Sequence, residues 1–246
     1  MKKSTEKKVF AVLLAVAILV GGGTLFFRFQ PQTVEVCGPV QFQNHTLVID
    51  AGHGGEDGGA VSPNGVVESG INLAIAKRMD LLAGLYGVPA ILLRSEDISL
   101  HDSTAVTLRE KKTSDLHNRV DRVEETEHAV LISIHQNIYS NPKYSGAQVF
   151  YSNAALSAGW AELTQEVLRS ALNQGNQREA KVIPDSIYLM SHITCPALLI
   201  ECGFLSNPEE EQLLKSDRYQ TKLAISILSS YLQYQDQINN REGPNS

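Results

Sequence analysis

Short apolar runs alternate with helical patterns through residues 46–235. That alternation restricts the chain to a single α/β domain with a largely parallel central sheet flanked by helices. Residues 47–49, 89–93, 129–134, 147–151 and 197–200 read as strands, the last opened by Pro196, where a proline is tolerated. Between Ser69 and Tyr86, apolar Ile71, Ile75, Met79, Leu82 and Tyr86 recur every three to four residues, which predicts an amphipathic helix. Gly87 suits its C-terminal cap. Further helices are expected over 116–127 and 155–172. Asn207, Pro208 and Glu210 supply an N-cap, a first-turn proline and a capping-box glutamate for another. Asp217 with Gln220 repeats the pattern, and Leu223, Ile227, Tyr231 and Tyr234 line one face of the helix that follows. Residues 95–113 read as a long polar loop and 138–146 as a shorter one.

The first strand ends in Asp50-Ala51-Gly52-His53-Gly54-Gly55. Glycine permits angles and close approaches that other residues resist. A histidine held on such a loop is placed for chemistry, although the same glycines could make a tight turn around a solvated His53. The third strand leads into His135-Gln136-Asn137 and the last into Glu201-Cys202-Gly203. In a parallel sheet these ends face one way, and ligand sites gather beyond them. Glu68, just ahead of the first helix, can return to the same edge. Two imidazoles, a carboxylate and an open position for water make a catalytic zinc site. A second, unligated carboxylate beside them makes a general base. Singly, each residue has a plainer reading: His135 bonded to backbone, Glu68 capping its helix, Glu201 paired with a surface cation. Together they favour the site, because a carboxylate directly after an apolar strand is expensive without a partner. His45, His101, His117, His128 and His192 fall in linker, loop or charged helix and read as solvated.

Charge and cysteine usage narrow the class. The formal net charge is −6, and residues 1–27 hold four lysines and one glutamate, so the remainder carries −9. A body this acidic is not a nucleic-acid binder by electrostatics. The three cysteines are Cys37, Cys195 and Cys202. The last two flank one strand and would lie roughly 23 Å apart at about 3.3 Å per residue, too far to bridge. No disulfide framework is expected. Residues 1–8 are basic, and 9–27 form a charge-free run closed by Arg28. Residues 1–28 therefore read as a cytoplasmic stub with a membrane anchor or signal segment. Residues 29–45 read as a linker, 46–235 as the catalytic domain, and 236–246 as a disordered tail.

Asp50-Ala51-Gly52-His53-Gly54-Gly55, Glu68, Ser133-Ile134-His135-Gln136-Asn137 and the run from Ile200 through Glu201 to Pro208 resemble the zinc-dependent N-acetylmuramoyl-L-alanine amidases of the bacterial wall. Leu116-His117-Asn118-Arg119 stands where that family has a leucine and an arginine ahead of its second histidine. The resemblance implies that His53, Glu68 and His135 bind Zn2+ and that Glu201 is the catalytic carboxylate. Ala51 departs from the family's usual proline and Gln136 from a smaller residue; neither is a ligand. The run from Glu96 to Asp102, and Ile187-Tyr188-Leu189-Met190, are similar to the germination-specific branch of endospore formers. That similarity implies peptidoglycan as substrate, spore cortex as its setting, muramic-δ-lactam as the downstream product, and action outside the cytoplasm, at the envelope between forespore and mother cell. Some family members carry an inhibitory helix after the second histidine, and residues 138–146 leave no room for one. Control then falls to a protein partner, to localisation or to timing. The polar loops at 95–113 and 138–146 are expected to wall a groove for the polymer. Two other classes fit the same residues: a zinc exopeptidase or amidohydrolase acting on small peptides, and a wall-binding module without turnover.

Overall fold

Uninterrupted Val, Ile and Leu runs need cover on both faces of a sheet. The computed structural model describes residues 45–152 and 154–241. It builds a six-stranded sheet in the order β2–β1–β3–β6–β4–β5. The elements in chain order are β1 (Thr46–Ala51), α1 (Glu68–Leu85), β2 (Ala90–Leu92), α2 (Leu108–Glu124), β3 (Ala129–Asn137), β4 (Gln148–Ser152), α3 (Ala154–Leu172), β5 (Lys181–Val182), α4 (Tyr188–Ser191), β6 (Ala197–Phe204), α5 (Pro208–Leu214) and α6 (Asp217–Arg241). β1, β2, β3 and β6 run parallel, and β4 is antiparallel to β6.

Alternation along each strand sorts the side chains. Leu47, Ile49, Ile132, Ile134, Leu198 and Ile200 belong to the core that includes Ile75 and Met79 of α1, Trp160 of α3 and Ile227 of α6. Val48, Leu131 and Leu199 belong to the second core, with Val123 of α2 and Leu189 of α4. Asp50, Ser133, His135 and Glu201 follow the second set by the same alternation, so they emerge on the α2 and α4 side at the C-terminal edge. Trp160 is fully buried, edge-on to Tyr231 at 5.9 Å and stacked on Tyr234 at 5.5 Å. Gly87 adopts φ +70° and follows α1 as its sequence position suggests, with Val88 N–H donating to Ala83 O at 2.9 Å.

Several boundaries differ from the sequence expectation. α2 begins at Leu108, eight residues before Leu116, because Thr107 and Glu110 close a capping box inside the polar stretch. β3 and β6 continue to Asn137 and Phe204, so His135 and Glu201 lie within paired strands rather than after them. Asn207 caps α5 by accepting from Glu209 N and Glu210 N. Glu210, however, does not close a box: its carboxylate accepts from Gly146 N and Phe204 N, both at 2.8 Å. Ser216, not Asp217, supplies the capping side chain at the start of α6, its hydroxyl accepting from Tyr219 N at 3.3 Å. β5 and α4 arise where no periodic signal stands. α6 runs to Arg241, so residues 236–241 are helical rather than the start of a disordered tail, and 242–246 lie outside the described residues. The anchor and linker readings at 1–44 also lie outside them. Among the described residues, Cys195 and Cys202 carry free thiols. Among the described residues, no helix is long and apolar enough to cross a membrane.

Candidate metal centre

Strand register assembles the site. Asp50 pairs with Ser133, Ala51 with Ile134, and His135 with Glu201. Gly52 therefore falls beside His135, and the imidazole lies across it. A Cβ on Gly52 would come within 2.2 Å of His135 Cε1, so an alanine there displaces the ring. His53 follows in a left-handed conformation, φ 61°, that a non-glycine residue holds only under constraint. Two buried arginines supply the constraint by seizing the carbonyls of this turn. Arg94 Nε donates to Ala51 O at 2.8 Å and its terminal nitrogen to Gly52 O at 3.1 Å. Arg119 donates to Ala51 O at 3.1 Å and to His53 O at 2.8 Å. Asp50 and Asp115 fix Arg119 in turn, the latter at 2.7 Å.

Glu68 starts α1 on the other side of the sheet edge and reaches over it, as expected. Its Oε1 lies 3.1 Å from His135 Nδ1 and its Oε2 lies 3.4 Å from His53 Nε2. The ligand atoms of His53, Glu68 and His135 all fall within 4.8 Å of one another. Bonds of about 2.0–2.2 Å at tetrahedral angles separate neighbouring ligand atoms by roughly 3.3 Å, so the spacing fits one metal ion. Glu68 is pinned by Ala60 N–H at 2.7 Å, Gln136 N–H at 3.0 Å and Asn72 at 3.2 Å. Burial pushes its carboxyl up, but the hydrogen bond and charge of His135 outweigh that and hold it at about 2. It is an anion at neutral pH, as a ligand must be.

Sequence reasoning missed Asp57. Its Oδ2 lies 3.0 Å from His53 Nδ1, which leaves Nε2 facing Glu68. A carboxylate behind a ligating imidazole sets its tautomer and orientation. The four-residue spacing from His53 on a glycine-rich loop was the available signal. Arg94 and Asn72 were also missed, because their partners are backbone carbonyls or a side chain brought in by folding.

Glu201 stands beside His135 but outside the three-residue group. Among the described residues its buried Oε2 has no hydrogen-bond partner. Burial pushes its carboxyl up, His135 pulls it down and Glu68 raises it, leaving it at about 7. A carboxylate poised there can accept or return a proton near neutral pH. The four residues open onto a cleft of about 540 Å³. Its walls differ from expectation: Lys112 to Arg119 on α2 and the segment from Ser186 to Met190 form them. Of the two polar loops only Ile138 contributes, since α2 has absorbed Lys112.

Residues 47–231 match the family described as N-acetylmuramoyl-L-alanine amidase. The germination-specific N-acetylmuramoyl-L-alanine amidase of Bacillus subtilis is 39% identical over 189 residues, spanning 76% of this chain and 78% of that protein. The amidase AmiA of Escherichia coli is 28% identical over 231 residues, spanning 76% and 75%. Among solved structures, the CwlD amidase of Clostridioides difficile, solved in complex with the GerS lipoprotein, superposes with a TM-score of 0.75 at 37% identity, covering 78% of this chain and 98% of that one.

Proposed function

We propose, for a chain that belongs to the N-acetylmuramoyl-L-alanine amidase family, that the metal is zinc, held by His53, Glu68 and His135, with Glu201 as the general base. The chain is a peptidoglycan N-acetylmuramoyl-L-alanine amidase. The observation that carries the residue assignment is the pairing of a fixed His–Glu–His group with a buried carboxylate outside it whose oxygen has no partner among the described residues.

When bound, zinc supplies Lewis acidity, lowering the pKa of water to about 7 and stabilising developing negative charge. Each protein group then has one task. Glu201 takes the proton of the attacking water and delivers it to the departing amine of L-alanine. Asp57 holds His53 in one tautomer. Arg94 and Arg119 hold the turn that presents His53. The walls from α2 and residues 186–190 orient the muramyl group and shed water around the amide. Incubated with zinc and purified peptidoglycan, the protein is expected to release new alanine amino termini and no new reducing sugar ends. Reducing ends without amino termini overturn the assignment, and release only from small peptides supports the exopeptidase reading.

The finer placement is spore cortex. The similarity to a germination-specific amidase and the run from Ile187 to Met190 on the cleft wall support it. Loss of the gene should then remove muramic-δ-lactam from cortex and leave vegetative cells separated; normal cortex would sink this. Residues 1–28 anchor the chain outside the cytoplasm in this reading, and a chain beginning at Gln41 should remain folded and bind metal. The absence of any helix between Asn137 and Gln148, together with the relative solved with a lipoprotein, supports control by a protein partner.

A further inference from the structure

Beside the cleft lies a surface that neither the metal chemistry nor the core uses. Tyr139 and Tyr144 are 53% and 45% exposed, and their rings meet edge to face at 4.7 Å. Among the described residues neither hydroxyl makes a hydrogen bond. The backbone around them is nonetheless tied down. Tyr139 N–H donates to Ser206 Oγ at 3.0 Å, Asn207 donates to Tyr144 O at 3.2 Å, and Gly146 N–H donates to buried Glu210. From behind, Arg178 lies over buried Phe204 at 4.6 Å and over Tyr144 at 5.8 Å. Arg178 is itself held by Ser145 O and Gln148 at 3.0 and 2.8 Å. The backbone that carries both rings is thus held before any ligand arrives, and the Tyr144 ring packs against Phe204 and Arg178, which lowers the ordering cost of binding.

The chain runs directly from the cleft wall into this surface. Ile138, itself 46% exposed, lines the cleft and adjoins Tyr139. Tyr139 is four residues from His135, so their Cα atoms are separated by no more than about 14 Å of extended chain. We propose that Tyr139 and Tyr144 form a stacking platform for a sugar ring of the glycan strand, next to the muramic acid whose amide is cut. The proposal rests on the peptidoglycan reading above. An aromatic face is the negative pole of the ring quadrupole, and a pyranose presents a flat face of C–H groups to it. The carboxylates of the stem peptide are repelled by the same face. The platform gives the enzyme a grip on polymer that single muropeptides lack.

The full chain is compared with Tyr139→Ala/Tyr144→Ala on two substrates: single-sugar muramyl peptide and polymeric glycan strands bearing the same peptide. The double variant is expected to raise KM for strands about tenfold, the equivalent of 1.4 kcal/mol, with kcat unchanged. Single-sugar turnover, melting temperature and metal content should match wild type, and Tyr139→Phe/Tyr144→Phe should behave as wild type. A second arm measures binding to glycan strands stripped of peptide; it needs no turnover and separates this inference from the amidase reading. Equal loss on both substrates, or no loss on strands and unchanged binding to stripped glycan, overturns the platform. So does a variant that handles every glycan normally but no longer responds to a lipoprotein partner, which would assign the rings to protein docking.

Discussion

Glu201→Gln is expected to retain wild-type metal content and fold while turnover falls about 10²–10⁴-fold, the usual worth of a positioned base. The amide keeps the shape of the carboxylate, and position 201 stays paired with His135 across β3 and β6. It accepts no proton at neutral pH. With Glu201 as the proposed base, the wild-type rate is expected to show an acid limb set by this carboxyl, which burial raises to about 7 in the metal-free protein. A nearby dication favours the anion and moves the limb lower. Residual activity of Glu201→Gln should lack that limb. His135→Ala is the contrast. It removes an imidazole from the group whose atoms share a 4.8 Å neighbourhood, so metal content falls together with rate. Metal per protein and rate, measured on both variants, separate a ligand from a base. A Glu201→Gln protein that loses metal makes Glu201 a ligand. One that keeps full activity puts the base elsewhere, with Glu68 next in line.

Why these four residues converge where the sequence placed them is a matter of topology. A parallel sheet sends the ends of β1, β3 and β6 to one edge, so polar residues at the ends of apolar runs converge without any knowledge of side-chain geometry. Glu68 was reachable because α1 starts immediately beside that edge. The boundaries failed where polar chemistry hides regular structure. Thr107 and Glu110 lie in a run of polar residues, and only their three-residue spacing betrays the start of α2. That error put the cleft wall on a loop, whereas α2 supplies it. Glu210 misled in the opposite way. Its spacing from Asn207 fits a capping box, yet tertiary structure spends its carboxylate on Gly146 and Phe204. Arg94 was illegible for a third reason: its carbonyl partners are set by a left-handed turn at His53 that no local pattern announces, whereas Asp57 showed only its four-residue spacing from His53.

The turn at His53 carries the second large effect. Arg119→Met is expected to lower the unfolding free energy by about 3–5 kcal/mol, the cost of leaving a buried charge without its partner. Arg119 and Asp50 are 2% and 1% exposed, and Arg119 also contacts Asp115 and the carbonyls of Ala51 and His53. Methionine fills the stem but satisfies none of them, so metal affinity should fall as well. Acid titration of the metal-free protein tests the same network. Burial raises the Asp50 carboxyl, but Arg119, His135 and the 2.6 Å bond from Ser133 Oγ bring it below the ordinary 3.8. A carboxyl depressed in the folded state stabilises above its unfolded pKa and loses that contribution as pH falls through the folded one. Glu68, at about 2 against 4.5, acts in the same sense. Wild-type stability should therefore decline below pH 4.5. In Arg119→Met the Asp50 carboxyl loses its main cationic partner and takes up a proton more readily, so the decline across this window should be shallower. Equilibrium unfolding in urea at pH 7 and pH 3 measures both quantities. A variant within 1 kcal/mol of wild type at pH 7, or one with an equally steep acid decline, would show that the Arg119–Asp50 pair does not hold the turn.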